Sequence, residues 1–181
     1  MDALHGNKVT LRPAVAGDLP VFRDALATDE VRRWWHWADP EGDLAEPGHR
    51  HLAITVGGEG GTPSSSAAES LGAVGMIQWD EETDPDFRYA AIDIFLHPDH
   101  HRLGLGTDAI RTLARWLLDV RGHHRLTIDP AAENTAAIAC YEQLGFRRVG
   151  VLRQQWFDHQ RGVWADGLLL DLLKGELSEG G

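Results

Sequence analysis

The order of strand-like and helix-like segments constrains the fold of this chain more than any other feature. Segments typical of β-strands come first, interrupted by one early helix, and the later strands alternate with helices. This order predicts an α/β (α+β) fold, with one mixed sheet of about six or seven strands and about four flanking helices. The expected strands span residues 8–12, 51–56, 71–79, 87–96, 125–129, 146–152 and 164–173.

Three helices are predicted from periodicity and capping residues. The first begins near Pro20, two residues after Asp18. In residues 106–120, apolar side chains recur with helical spacing at Ile110, Leu113, Ala114 and Leu117. Residues 134–144 have Asn134 as the N-cap, and Gly145 follows as a stop.

The connections between these elements are polar. We expect an acidic loop rich in Pro and Gly over residues 36–50, after a helical signal that continues to Trp35. Residues 57–70 are rich in Gly and Ser and are interpreted as a mobile hairpin connection. The length of 181 residues is most simply one domain, expected to span residues 1–181.

The negative charge of the chain argues against nucleic acid as a partner. With 28 acidic and 17 basic side chains, the formal net charge is −11, which would repel a nucleic-acid backbone and favour encounter with cations. No apolar run approaches the length of a membrane span, and residues 1–20 lack the apolar core of a secretory signal. With Cys140 as the sole cysteine, we expect a cytoplasmic protein, either a monomer or a homodimer, that contacts neither nucleic acid nor membrane.

The segment HPDHHRLGLGTDAI, residues 97–110, combines three histidines with two glycines before a helix. Its glycines formally match a dinucleotide fingerprint, but Pro98 to Leu103 separate them from the strand, and no Lys-Ser or Lys-Thr follows as in a Walker loop. A phosphate cradle at a helix start and a simple turn both remain open from the glycines alone. The three histidines have no second ligand cluster, so we expect loop residues and no metal.

Two motifs together resemble the GNAT acetyltransferases. They are HHRLGLGT, which follows a strand ending in IDIFL, and IDPAAENTAAIACYEQLGF. The resemblance implies acetyl-CoA as co-substrate, with its pyrophosphate held by backbone amides of the glycine loop. His101 stands where Gln or Arg is usual, and Arg102 could add a cation. The implied cofactor contacts are Phe95, Leu96, His101, Arg102, Leu103, Gly104, Leu105, Gly106, Thr107, Asn134 and Ala137.

The second motif also implies a catalytic acid. By resemblance, Tyr141 would donate a proton to the departing CoA thiolate. The alternative is a packing aromatic on a helix that also presents Ala137 and Leu144. Cys140, beside it, is more simply a small buried side chain than an acyl-enzyme nucleophile.

The chain is most similar, within this family, to the aminoglycoside 6′-N-acetyltransferases. The segments WW (residues 34–35), EETDP (81–85), ID (92–93) and IDP (128–130) occur in the same order. The resemblance implies a cationic small-molecule amine as acceptor. The residues expected to bind it are Trp34, Trp35, Glu46, Asp84, Asp129 and Asp166.

Asp93 is the candidate catalytic base or amine ligand. It interrupts the apolar strand AAIDIFL, where a carboxylate is costly unless it is paired or used. A salt bridge to a core Arg is the alternative for Asp93, and a turn role in Asp-Pro is the alternative for Asp129.

These residues predict an acetyl-CoA-dependent N-acetyltransferase that acts on a primary amine of a polycationic small molecule, with an aminoglycoside 6′-amine as the leading acceptor. A protein N-terminus or a siderophore amine is an alternative acceptor. An acyl-CoA-binding module without catalysis is the alternative from another class of protein.

Overall fold

A computed structural model describes residues 1–35, 39–57 and 72–178. The eight strands found there are β1 (Leu4–His5), β2 (Val9–Pro13), β3 (His51–Val56), β4 (Ala73–Glu82), β5 (Tyr89–Leu96), β6 (Arg125–Ile128), β7 (Arg147–Asp158) and β8 (Val163–Leu173). The predicted Gly/Ser connection lies almost wholly outside the described residues, as does residue 71, where the third strand was expected to begin.

The strands form one sheet in the order β1-β2-β3-β4-β5-β6-β8-β7. β5 and β6 are parallel, with Ala90 opposite Leu126, and β6, β8 and β7 continue as antiparallel neighbours. A mixed sheet with helices confirms the predicted α/β class. The strand count exceeds the expected six to seven because β1 has only two residues, too few to produce a periodic signal.

The described residues contain five α-helices rather than about four. They are α1 (Leu19–Ala27), α2 (Asp29–Arg32), α3 (Pro40–Ala45), α4 (Leu105–Arg115) and α5 (Thr135–Gln143). A π-helical turn, Trp116–Val120, continues α4. None of the helices in these ranges is long and apolar enough to cross a membrane.

Residues 36–38 of the loop predicted over residues 36–50 lie outside the described residues, and the rest of the prediction is wrong in part, because it contains α3. The Oδ1 of Asp39 accepts a hydrogen bond from the Gly42 backbone N–H at 3.0 Å, and Pro40 occupies the first turn. An N-cap acid followed by Pro is a helix-start signal, which the surrounding glycines and acids obscured.

By contacts, the chain divides into two compact units. The first comprises Met1–Trp79 and Asp93–Leu113, and the second comprises Asp80–Ile92 and Ala114–Gly181. In the first unit, the ring of Phe95 packs edge-on against those of Phe22 and Trp35, with centroid distances of 5.9 and 5.2 Å. The fully buried side chains of the second unit include Leu117, Leu126, Leu144, Leu170 and Leu172.

Candidate active site

In the first unit, the glycine loop enters α4 directly. Gly104 has φ +76°, a left-handed conformation that a side chain strains, and a Cβ there would lie 2.8 Å from Lys8 Nζ. The helix begins at Leu105, so its first-turn N–H groups have no acceptor within the helix, and its dipole favours an anion. A Cβ at Gly106 would lie 3.3 Å from Leu96 Cδ1. The two glycines therefore let Lys8 and Leu96 approach the loop backbone closely, and the first-turn N–H groups of α4 are the donors that a pyrophosphate cradle needs.

Two residues that sequence reasoning missed hold this loop against β2. The Nζ of Lys8 donates to the Leu103 carbonyl oxygen at 3.0 Å. Asp108, only 4% exposed, accepts from the backbone N–H groups of Lys8 and Val9 through Oδ2, at 2.7 and 3.1 Å. No local pattern links positions 100 residues apart, so these bonds could not be predicted from periodicity.

The histidines beside the loop make bonds within it. His97 Nδ1 accepts from the Asp99 backbone N–H at 3.3 Å, and His101 Nε2 lies 3.0 Å from the Leu96 carbonyl oxygen. Across residues 1–35, 39–57 and 72–178, no group of three or more His, Cys, Asp or Glu side chains is arranged to hold a metal ion. The histidine at position 101 thus joins the loop to the end of β5.

Asp93 is half-buried on β5, and Gln78 on β4 contacts it. The Gln78 Nε2 donates to Asp93 Oδ2 at 3.4 Å. Gln78 was not among the sequence-predicted residues, although it is a polar interruption in the buried part of β4, residues 73–79. Near the C-terminal end of β5, a Cβ at Gly75 of β4 would lie 2.3 Å from the Phe95 carbonyl oxygen. The glycine therefore lets the backbones of the two strands approach closely.

The predicted aromatic pair divides between two environments. Trp35 packs on Phe95 within the first unit's core, as the ring distance shows. The guanidinium of Arg33 lies 4.4 Å from the centroid of Trp34. Glu46, at the end of α3, is exposed.

In the second unit, Asn134 caps α5 as predicted. Its Oδ1 accepts a hydrogen bond from the Ala137 backbone N–H at 3.2 Å. Tyr141 lies on this helix, is 8% exposed, and its ring centroid is 6.2 Å from that of Phe146. The ring of Tyr141 therefore contributes to packing whatever its hydroxyl does.

Three of the carboxylates expected to bind the acceptor lie in the second unit, and their surroundings differ. Asp84 is exposed and accepts from the Asp86 backbone N–H at 2.9 Å. Asp166 accepts from the backbone N–H of Gln154 at 2.8 Å. Asp129 follows β6 and accepts from the side chain of Gln155, a residue that sequence reasoning also missed. Burial raises the pKa of the Asp129 carboxyl, and the hydrogen bond from Gln155 opposes part of that rise.

Known proteins resemble this chain in sequence and in fold. A sequence profile of the Acetyltransferase (GNAT) family matches residues 20–146. An aminoglycoside N(6')-acetyltransferase type 1 from Klebsiella pneumoniae is 31% identical over 157 residues, covering 81% of this chain and 77% of that protein.

Two solved structures share the fold at lower identity. A GNAT-family acetyltransferase from Bacillus anthracis has a TM-score of 0.76 with this chain at 15% sequence identity. The match covers 95% of this chain and 98% of that protein. RimJ from Mycobacterium smegmatis, solved in complex with CoA-disulfide, has a TM-score of 0.75 at 22% sequence identity. The match covers 99% of this chain and 89% of RimJ. The chain therefore belongs to the GNAT family of acetyltransferases, enzymes that use acetyl-CoA as the acetyl donor.

Proposed function

We propose that this protein transfers the acetyl group of acetyl-CoA to a primary amine of a polycationic small molecule, with an aminoglycoside 6′-amine as the acceptor. The observation that carries this proposal is the half-buried carboxylate of Asp93 on β5, beside the strand end that leads into the glycine loop. The Klebsiella relative is named for this reaction, and the net charge of −11 favours encounter with a polycation.

Acetyl-CoA supplies a thioester whose carbonyl carbon accepts the amine. Asp93 attracts the incoming ammonium group and takes its proton, which leaves a nitrogen lone pair free to attack. Backbone N–H groups near Phe95 and Leu96 stabilise the carbonyl oxygen as negative charge develops on it. When the C–S bond breaks, Tyr141 donates its hydroxyl proton to the thiolate.

Other residues bind rather than react. The loop over residues 104–107 receives the pyrophosphate through the first-turn N–H groups of α4, and Arg102 adds a positive charge. Asp129 is a second ligand for an acceptor ammonium group. Trp34, Trp35, Glu46, Asp84 and Asp166 are proposed to extend acceptor binding.

A thiol-release assay tests this function. The purified protein is given acetyl-CoA with kanamycin-like compounds, N-terminal peptides or hydroxamate precursors, and free CoA is measured. We expect release with the aminoglycosides well above background hydrolysis. Release with peptides or hydroxamate precursors alone would assign a different acceptor, and binding of CoA without release in any mixture would contradict an enzymatic function.

A further inference from the structure

A bulge in β7 interrupts its pairing with β8. Leu152 pairs with Gly167, and the next pair is Trp156 with Ala165. Residues 153–155 of β7 therefore face a single residue of β8, Asp166. The sequence patterns predicted a strand ending at residue 152, so they showed neither the bulge nor the strand that continues beyond it.

The bulge is held by a left-handed residue and a carboxylate. Gln154 has φ +52°, which costs a non-glycine residue about 1 kcal/mol or more. Its backbone N–H donates to Asp166 Oδ1 at 2.8 Å. Strained residues of this kind persist where the surroundings compensate for them, and they are common at functional sites.

The bulge directs the next side chain, Gln155, to Asp129. The Gln155 Nε2 donates a hydrogen bond to Asp129 Oδ2. The absence of a side chain at buried Gly167 makes room for this amide, because a Cβ there would lie 1.7 Å from Gln155 Oε1. The strand pairing, the bulge and Gly167 therefore all favour the same position of the Gln155 side-chain amide, beside Asp129.

An amide partner suits a carboxylate that binds a cation. A Lys or Arg in its place would neutralise Asp129 and compete with an incoming ammonium group. The amide of Gln155 uses one oxygen of the carboxylate and leaves its charge unchanged. Burial raises the pKa of Asp129, and the hydrogen bond from Gln155 favours the charged form.

We propose that Gln155 is a positioning residue that orients Asp129 for an ammonium group of the acceptor, and that the β7 bulge and Gly167 place its amide. This inference rests on the proposed function, because it takes Asp129 as an acceptor ligand. Gln155 affects acceptor binding through its hydrogen bond to Asp129.

Kinetics of two substitutions test the proposal. Gln155→Met removes the donor at nearly constant length, and Gly167→Ala displaces the amide with a methyl group. We expect each to raise the KM of the aminoglycoside about tenfold, the loss of one hydrogen bond to a charged group. The KM of acetyl-CoA should be unchanged, and kcat should change less than the acceptor KM. An unchanged acceptor KM in Gln155→Met would overturn the inference.

A matched control and a double variant sharpen the result. Gln160→Met changes an exposed glutamine in the turn of the same hairpin and should leave every constant unchanged. If Gly167→Ala acts by moving Gln155, the double variant should be no worse than Gln155→Met alone. Fully additive effects would contradict the role given to Gly167.

A titration of the free protein separates this inference from the proposed function. With labelled carboxyl carbons, NMR reports the pKa of Asp129, which should be higher in Gln155→Met than in the wild type because the charged form loses its donor. Wild type that acetylates no polycation, together with this pKa rise, would refute the function and keep the Gln155–Asp129 coupling. Active wild type with the same Asp129 pKa in both proteins would refute the inference and keep the function.

Discussion

The Nε2 of Gln78 on β4 lies 3.4 Å from Oδ2 of Asp93 on β5. The Gln78 amide is an uncharged donor, so this hydrogen bond orients the carboxylate without neutralising it. A half-buried carboxylate in a central strand is expensive to maintain for packing alone, which favours a role in the reaction.

Asp93→Asn should therefore lower kcat/KM by about 10²- to 10⁴-fold, the usual contribution of a general base. The affinity for CoA should be unchanged because the loop at residues 104–107 is intact. Steady-state kinetics and calorimetric CoA titration measure the two effects. Asp119→Asn, at an exposed carboxylate, is the control. Nearly normal activity in Asp93→Asn would remove this residue from the mechanism.

Tyr141→Phe should slow thiol release about 10²-fold or more, since the variant lacks the hydroxyl proton that the proposed mechanism gives to the thiolate. The melting temperature should change little because the ring that packs beside Phe146 is retained. Tyr89→Phe, at the more exposed end of β5, serves as the control and should not affect the rate. An unchanged rate in Tyr141→Phe would leave this tyrosine a packing residue only.

Gly104→Ala should weaken CoA binding and destabilise the fold by about 1–2 kcal/mol, because φ +76° is strained for alanine. The methyl group would also meet Lys8 Nζ, which helps to hold the loop. Calorimetric titration with CoA and thermal unfolding measure both effects. Gly150→Ala is matched to it, since a Cβ there meets nothing within 4 Å and φ is not positive. Unaltered CoA affinity would contradict a cradle at Gly104.

The local elements were predictable because their signals are local. The helix over residues 106–120 was expected from apolar spacing, and Leu113, Ala114 and Leu117 are fully buried in the structure. Asn134 was expected as a cap because Asn, Ser and Asp bind first-turn amides through short side chains. Such signals depend on residues three or four positions apart.

The parts that escaped prediction depend on contacts between distant residues. Asp108 looks like an ordinary first-turn acid, yet it binds the backbone of Lys8, 100 positions away. Gln155 lies beyond the strand predicted over residues 146–152, in a run of polar residues, and only the bulge opposite Asp166 turns it toward Asp129. Periodicity reports which face of an element is buried, and it carries no information about such partners.

Arg12→Met should destabilise the protein by about 3–5 kcal/mol, because it leaves the fully buried Asp18 carboxylate without its cationic partner. Arg12 donates two hydrogen bonds to Asp18, at 2.8 and 2.6 Å. Denaturant unfolding gives the free energy. Arg32→Met breaks an exposed pair with Asp29 and should cost about 1 kcal/mol or less. Equal losses in the two variants would contradict the importance assigned to burial.

The stability of the protein should fall as the pH drops below about 6.5, in part because of His123. This side chain is fully buried, and burial lowers its pKa, while its hydrogen bond to Glu81 at 2.9 Å opposes the shift. His123 therefore takes up a proton more readily in the unfolded chain than in the folded chain, so the free energy of unfolding decreases with falling pH. Above the ordinary value of 6.5, both states leave the ring neutral and this contribution is fully present.

Melting temperatures between about pH 7.5 and about pH 5.5 test this sign. His123→Gln cannot take up the proton, so its melting temperature should depend less steeply on pH than that of the wild type, although it starts lower. His124→Gln alters the exposed neighbouring histidine and should keep the wild-type slope. If His123→Gln and His124→Gln gave the same slope as the wild type, the pH dependence would have to come from other groups.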